Sequence, residues 1–180
     1  MIETVLLALF FAKIKGISIK QILQKWEFYP VFLCSLIYVF LQIGMFKGEY
    51  FLLTYTDVYK LVYSICIFFL IYRFKIYKQG FLGMGLMFLG MVLNELVKYF
   101  NNGKMPVFPT LSLKTGYISL DTLNNVDGWH VLGNNKTHVK FLSDIFDTGY
   151  CVMSIGDILV RAFVFIVLYF SFKTIKKGTA

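Results

Sequence analysis

Charge is what this sequence has little of: 16% of its 180 residues are Asp, Glu, Lys or Arg, where a soluble domain carries about 25%. With 58% hydrophobic residues, the apolar content exceeds what one buried core absorbs, which excludes an ordinary soluble domain. Cysteine is sparse as well. Cys34 and Cys66 lie inside apolar runs and serve as small hydrophobes, while Cys151 stands alone in a polar stretch. Without a CxxC pair or an even count, neither a disulfide framework nor a zinc site is expected. The two histidines, His130 and His138, are eight apart. Together with Asp121, Asp127 and Asp144 they offer metal-ligand residue types but no HxxxH or HExxH spacing, so no metal and no cofactor is expected. A Cys–His nucleophile needs a base within reach of the thiolate, and nothing in the local sequence around Cys151 supports one. Repeats, heptads and low-complexity tracts are missing. A cleaved secretory signal is not expected either, because Glu3 and no basic residue precedes the first apolar run, and no small-x-small site follows it.

What is there is a series of apolar runs punctuated by lysines. The net charge of +8 would suit a nucleic acid. The lysines, however, fall between the apolar runs, where the positive-inside rule places them, so the expected partner is the lipid bilayer and not nucleic acid. The fold class predicted is an all-α integral membrane protein: a polytopic helical bundle of about five transmembrane helices forming one membrane domain over residues 1–180, with one long outward polar loop. The spans fall at residues 2–14, 28–46, 58–72, 81–100 and 154–172, and the loop at 101–153. The first span is short, since about 20 residues are needed to cross the hydrocarbon core directly. The stretch after it holds Lys13, Lys15, Lys20 and Lys25 with Ile17, Ile19, Ile22, Leu23 and Trp26. It is either an interfacial helix on anionic headgroups or a solvated basic loop. Gly80 is expected to close the second basic cluster, and Gly83, Gly85 and Gly90 to let helices approach closely.

Orientation follows from the same charges. Lys13–Lys25, Arg73–Lys78 and Lys173–Lys177 occupy every second connection. Placing each in the cytoplasm puts the protein in the cell membrane with its N-terminus outside and its C-terminus cytoplasmic. The weakly charged connection Lys47–Asp57 and the long loop then face outward.

In that arrangement two helix ends meet at the outer surface with polar side chains on them. The stretch LNELVKYFNNGKMPV, Leu93 to Val107, brings Asn94, Glu95 and Lys98, and then Asn101, Asn102 and Gly103 stop the helix. The last span opens on Ser154–Ile155–Gly156–Asp157. Asn94 and Lys98 share a helix face, as do Asp157 and Arg161. Polar groups at membrane depth are costly and mark sites. The bland alternative is that Asp157 caps its helix or pairs with Arg161 while Asn94 makes a packing hydrogen bond. Met105, Val107, Phe108, Leu111 and Leu113 are placed to fold back over the site as a cap.

The motifs NNGKMPV, LSDI (Leu142–Ile145) and MSIGDIL (Met153–Leu159) resemble those of a bacterial multi-pass membrane family of unknown function, with an N-G-G-[K/R]-M-P-V turn, an L-G-D element and an S-x-G-D opening the last span. Asn102 and Ser143 stand where that family has glycines. The resemblance implies the architecture and the location of the site, and no activity. Leu93–Asn94 and the SIGD element are also similar to the two elements that carry the aspartyl pair of lipoprotein signal peptidases. Here only Asp157 matches, because Val97 stands where the first carboxylate belongs; Asp144 or Glu95 would have to replace it.

The reading that results is an outward-facing polar pocket of Asn94, Lys98, Asn101, Gly103, Met105, Ser154 and Asp157, with Asp144 beside it, which binds a small-molecule, lipid or peptide ligand or a partner. The alternative is an intramembrane aspartyl hydrolase in which Asp157 and Asp144 share a proton. A small-solute transporter comes third, since no inverted repeat or unwound Gly/Pro pair is present.

Overall fold

A computed structural model describes residues 1–47, 55–119 and 129–177. The protein is mostly helical. In chain order the helices are α1 (Ile2–Ile14), α2 (Ile19–Leu23), a 3-10 turn at Trp26–Phe28, α3 (Tyr29–Phe46), α4 (Thr56–Arg73), α5 (Tyr77–Phe100), the single turn α6 (Leu111–Lys114) and α7 (Ile155–Lys177). Among the described residues three helices are long and apolar enough to cross a membrane: Trp26–Phe46, Tyr77–Phe100 and Ile155–Ile175. These helices leave large apolar side chains uncovered, with Phe40 68%, Phe81 78% and Phe88 67% exposed, as lipid-facing helices do. At 1.5 Å per residue α1 is about 20 Å long, short of the roughly 30 Å hydrocarbon core. The 18 residues of α4 include Asp57, Lys60 and Arg73, which lowers their apolar character.

Two boundaries differ from the sequence expectation. The turn before α5 is made by Lys75, which takes a left-handed φ of 54°, and not by Gly80. Gly80 instead continues the helix, its N–H donating to the Ile76 carbonyl at 2.8 Å, and a Cβ there would overlap Ile71. The glycine serves close packing, so α5 begins earlier than residue 81. The basic segment after α1 forms only the five-residue α2, and its apolar side chains divide: Ile17 and Ile22 are buried, Leu23 and Trp26 exposed. The loop likewise departs from an all-α description. It contains a parallel pair, β1 (Met105–Val107) with β2 (His130–Leu132), and an antiparallel pair, β3 (Phe146–Asp147) with β4 (Val152–Met153). Strands of two or three residues are too short to leave a period in the sequence. Residues Asp121 and Asp127, and most of the Lys47–Asp57 connection, lie outside the described residues.

The chain forms two compact units. The first takes in Met1–Leu41, Thr54–Leu86 and Arg161–Ala180. Its interior is aromatic and aliphatic: Phe28 is fully buried, stacked on Phe74 at 5.1 Å between ring centroids and edge-on to Phe172 at 4.9 Å. Beside it Glu27 is buried and meets the half-exposed Arg73 at 2.8 Å. Gly83 lets α5 come against Phe163 of α7. Arg161 pairs with Glu3 at 3.1 Å, a carboxylate far away in sequence.

The second unit takes in Gln42–Leu53 and Met87–Val160. Its core is Val97, Met105 and Leu142, surrounded by Leu93, Val139 and Ile155. Here α5 and α7 touch backbone to backbone: a Cβ on Gly90 would strike the Gly156 carbonyl, and a Cβ on Gly156 would strike both the Gly90 carbonyl and the Asn94 carboxamide. Gly85, by contrast, faces open space. Gly156→Ala should therefore destabilise the protein by about 1–3 kcal/mol through overpacking, while Gly85→Ala is neutral or slightly stabilising. Thermal unfolding in non-ionic detergent micelles checks the pair; equal midpoints for the two variants would contradict the close contact.

Candidate functional site

The site lies within the second unit and is built from two helix ends and the loop that joins them. At its C-terminus α5 stops in a Schellman turn. Asn102 and Gly103 take left-handed φ values of 57° and 78°, and the Gly103 N–H reaches back to the Lys98 carbonyl at 2.8 Å. Asn and Gly are the residues that enter this region at least cost, which is why NNG ends the helix here. Asn101 fastens the loop to that end. Its amide donates to the carbonyls of Val97 (2.8 Å) and His138 (3.0 Å), and its carbonyl oxygen accepts from the His138 N–H at 3.0 Å. Val139 follows at φ 53°, a strained conformation for a β-branched residue, held by its packing against the Val97 core.

The opposite end, the start of α7, is a capping box. Ser154 Oγ accepts from the Asp157 N–H at 3.0 Å, and the Asp157 carboxylate accepts from the Ser154 N–H at 3.1 Å. Asn94 of α5 closes the ring: its amide donates to Asp157 Oδ1 at 3.0 Å and its carbonyl oxygen accepts from Ser154 Oγ at 2.8 Å. Ser154 is fully buried. Each residue of the SIGD stretch that takes part has a job the others cannot do: Ser154 caps, Gly156 makes room for Asn94, and Asp157 accepts from both sides.

The loop adds two more carboxylates of opposite character. Asp147 gathers the N–H groups of Thr110 (2.6 Å), Ser112 (2.9 Å) and Gly149 (2.8 Å) and the Ser112 hydroxyl (2.5 Å). Partial burial works against its charge, but the bonds from the Ser112 hydroxyl and the three N–H groups outweigh it and hold the carboxyl down at about 2. Asp144 is only 5% exposed. Its backbone is tied to β1, N–H to the Pro106 carbonyl (3.1 Å) and carbonyl to the Phe108 N–H (2.8 Å). Among the described residues its Oδ1 has no hydrogen-bond partner, and its Oδ2 stands 3.8 Å from His130 Nε2. Burial pushes the Asp144 carboxyl up to about 7, the charge of Asp157 adds to the rise, and His130 and Lys98 oppose it. No hydrogen bond joins the Asp144 and Asp157 side chains, and both Asp157 oxygens are held by Asn94 and Ser154.

Beyond the ring, β2 and the residue before it bring Trp129 across the end of α5; Met105 N–H donates to the Trp129 carbonyl at 2.7 Å. An open groove of about 570 Å³ results, lined by Val92, Glu95, Leu96, Lys98, Tyr99, Gly103 and Trp129. Lys98 Nζ contacts Glu95 at 2.7 Å and lies 5.9 Å from the centre of the Trp129 ring.

The predicted site residues therefore divide among different places. Asn94, Ser154 and Asp157 form the ring; Asn101 staples the loop; Met105 belongs to the core; Lys98 and Gly103 line the groove; Asp144 lies buried under β1. Of the proposed cap, Met105 and Val107 are buried, whereas Leu111 and Leu113 are exposed. Sequence reasoning missed Asp147 and Trp129. A loop Asp just after an LSDI element carries no signal, and Trp129 was hidden because nothing local announces a strand of three residues. Among the described residues no group of three His, Cys, Asp or Glu is placed to hold a metal ion.

These features define a mostly helical protein with helices fit to cross a membrane and an interlocked polar junction between two of them. The chain belongs to a family of unknown function (DUF5317), which it matches over residues 19–169. No curated protein and no solved structure matches it.

The two loop carboxylates give the stability opposite slopes with pH. Asp147, at about 2 when folded and near 3.8 ordinarily, loses its contribution as pH falls from about 4 to 2, because the unfolded chain takes up the proton first. Asp144, at about 7 when folded, makes stability fall as pH rises from about 4 to 7, because the unfolded chain has by then released a proton that the folded one keeps. In a Trp26→Phe background, where Trp129 is the sole tryptophan, unfolding followed by fluorescence should show Asp144→Asn flattening the upper limb and Asp147→Asn the lower one. An unchanged upper limb in Asp144→Asn would contradict the buried, proton-holding carboxyl.

Proposed function

We propose that this protein is a five-span membrane protein with its N-terminus outside and its C-terminus cytoplasmic, and that it binds an amphiphilic ligand in an outward-facing site without transforming it. The observation that carries this reading is the groove at the end of α5, where a lysine, a carboxylate and two aromatic rings border the apolar Val92 and Leu96. A headgroup with an anionic part meets Lys98, and an apolar tail meets the helix face. The lysine clusters at alternate connections support the orientation. α1 and α4 complete the count of five, α1 by local thinning of the bilayer and α4 with Lys60 snorkelling to the surface.

An aspartyl hydrolase has less support. Such a dyad shares one proton between two carboxyl groups in hydrogen-bond contact. Asp144 holds a proton up to about pH 7, but Asp157 is engaged on both oxygens and makes no bond to it.

The test has two arms. In a background lacking Cys34, Cys66 and Cys151, Lys136→Cys should react with a membrane-impermeant maleimide in intact cells and Lys78→Cys only after permeabilisation; the reverse pattern overturns the orientation. In dodecyl maltoside micelles, dodecyl phosphate should change Trp129 fluorescence saturably in the Trp26→Phe protein. Lys98→Ala should weaken that binding about tenfold or more, the worth of a charge-assisted hydrogen bond. A response that does not saturate, or that Lys98→Ala leaves unchanged, rules the groove out.

A further inference from the structure

We infer that the groove receives the headgroup of a zwitterionic phospholipid, one that carries both an ammonium and a phosphate, and this inference rests on the binding function proposed above.

The first argument is charge. A purely anionic headgroup would find one cation, Lys98, but that lysine is already paired with Glu95 at 2.7 Å. Taking it over would leave the Glu95 carboxylate facing the incoming negative charge. Glu95 is 71% exposed at its side chain and Lys98 28%, so the carboxylate is the more accessible of the two. The groove also presents the face of Trp129, toward which Lys98 Nζ is already turned at 5.9 Å. An aromatic face attracts a cation. Two of the groove's features thus attract a positive charge and one attracts a negative charge. A ligand carrying an ammonium and a single phosphate satisfies all three: its phosphate takes Lys98, and its ammonium replaces Lys98 beside Glu95 and Trp129.

The second argument is shape, and it selects a lipid over a free zwitterion. Val92, Glu95, Leu96 and Tyr99 follow one another at helical spacing and so form a single stripe of α5. That stripe continues toward the apolar middle of the helix through Leu89, which like Val92 and Leu96 is exposed. An acyl chain attached to the headgroup therefore lies along uncovered apolar surface without leaving the helix face. Water-soluble zwitterions gain nothing from it.

The experiment compares headgroups at constant chain length. Dioleoyl phosphatidylethanolamine, dioleoyl phosphatidylglycerol and free phosphoethanolamine are titrated into the Trp26→Phe protein in dodecyl maltoside micelles, with Trp129 fluorescence as the readout. The ethanolamine lipid should bind about two- to fivefold more tightly than the glycerol lipid, the range an exposed ion pair supplies. Free phosphoethanolamine should give no response over the same concentrations. Glu95→Gln should abolish or invert the preference and tighten dodecyl phosphate binding, because an anionic headgroup then meets Lys98 unopposed. Equal or tighter binding of the glycerol lipid by the unmodified groove overturns the inference, as does a preference that survives Glu95→Gln or a response to free phosphoethanolamine equal to that of the lipid. If dodecyl phosphate also fails to bind, the binding function itself fails; if it binds and only the preference is missing, the zwitterion alone is lost.

Discussion

A carboxamide, a hydroxyl and a carboxylate set between two apolar helices hold one another. Asn94, Ser154 and Asp157 do this in a closed ring in which the amide and carbonyl of Asn94 each meet a different partner at the start of α7. An unmet polar group in such surroundings costs several kcal/mol, roughly the amount found for amide transfer to apolar media. The ring therefore fixes the register of α5 on α7 more sharply than apolar contact could, since apolar faces slide with little penalty. The glycines at 90 and 156 are its precondition, because a side chain at either would stand in the space where the two backbones and Asn94 meet.

Everything in the loop between α5 and α7 depends on those two fixed ends. Asn101 mimics a strand with its side chain and ties His138 to the last turn of α5. Asp147 organises the turn around α6 by accepting from Thr110, Ser112 and Gly149 at once. Asp144 joins the loop to β1 through its backbone while its side chain remains buried and short of partners. One carboxylate is thus surrounded by donors and the other is starved of them, and the difference sends their proton affinities in opposite directions. Trp129 reaches the groove because β2 is paired in parallel with β1, itself anchored by Met105 in the core.

Much of this was legible in the residues. The apolar runs foretold long helices, Gly83 and Gly90 foretold close approach where Gly85 did not, and SIGD and NNG announced a helix start and a helix stop. The polar residues clustered on those ends were recognised as a group. Their division of labour was not. Asn94, Asn101 and Lys98 look alike in sequence, as polar residues at the end of one helix, yet one locks the two helices together, one holds the loop, and one lines a groove. Nor does spacing announce a distant partner: Arg161 bonds Glu3, 158 positions away.

Composition and local stereochemistry were enough to establish a helical chain suited to a membrane, helix boundaries at capping residues, and turns where Asn and Gly accept a positive φ. Those properties depend on neighbours along the chain, which a sequence states outright. Packing in three dimensions settled which carboxylate is starved of donors, which glycine is pressed against another backbone, and which ring covers Lys98. These depend on residues some 30 to 160 positions apart being brought within hydrogen-bond or van der Waals reach, and the free energy that brings them together belongs to the whole packing arrangement and to no single segment.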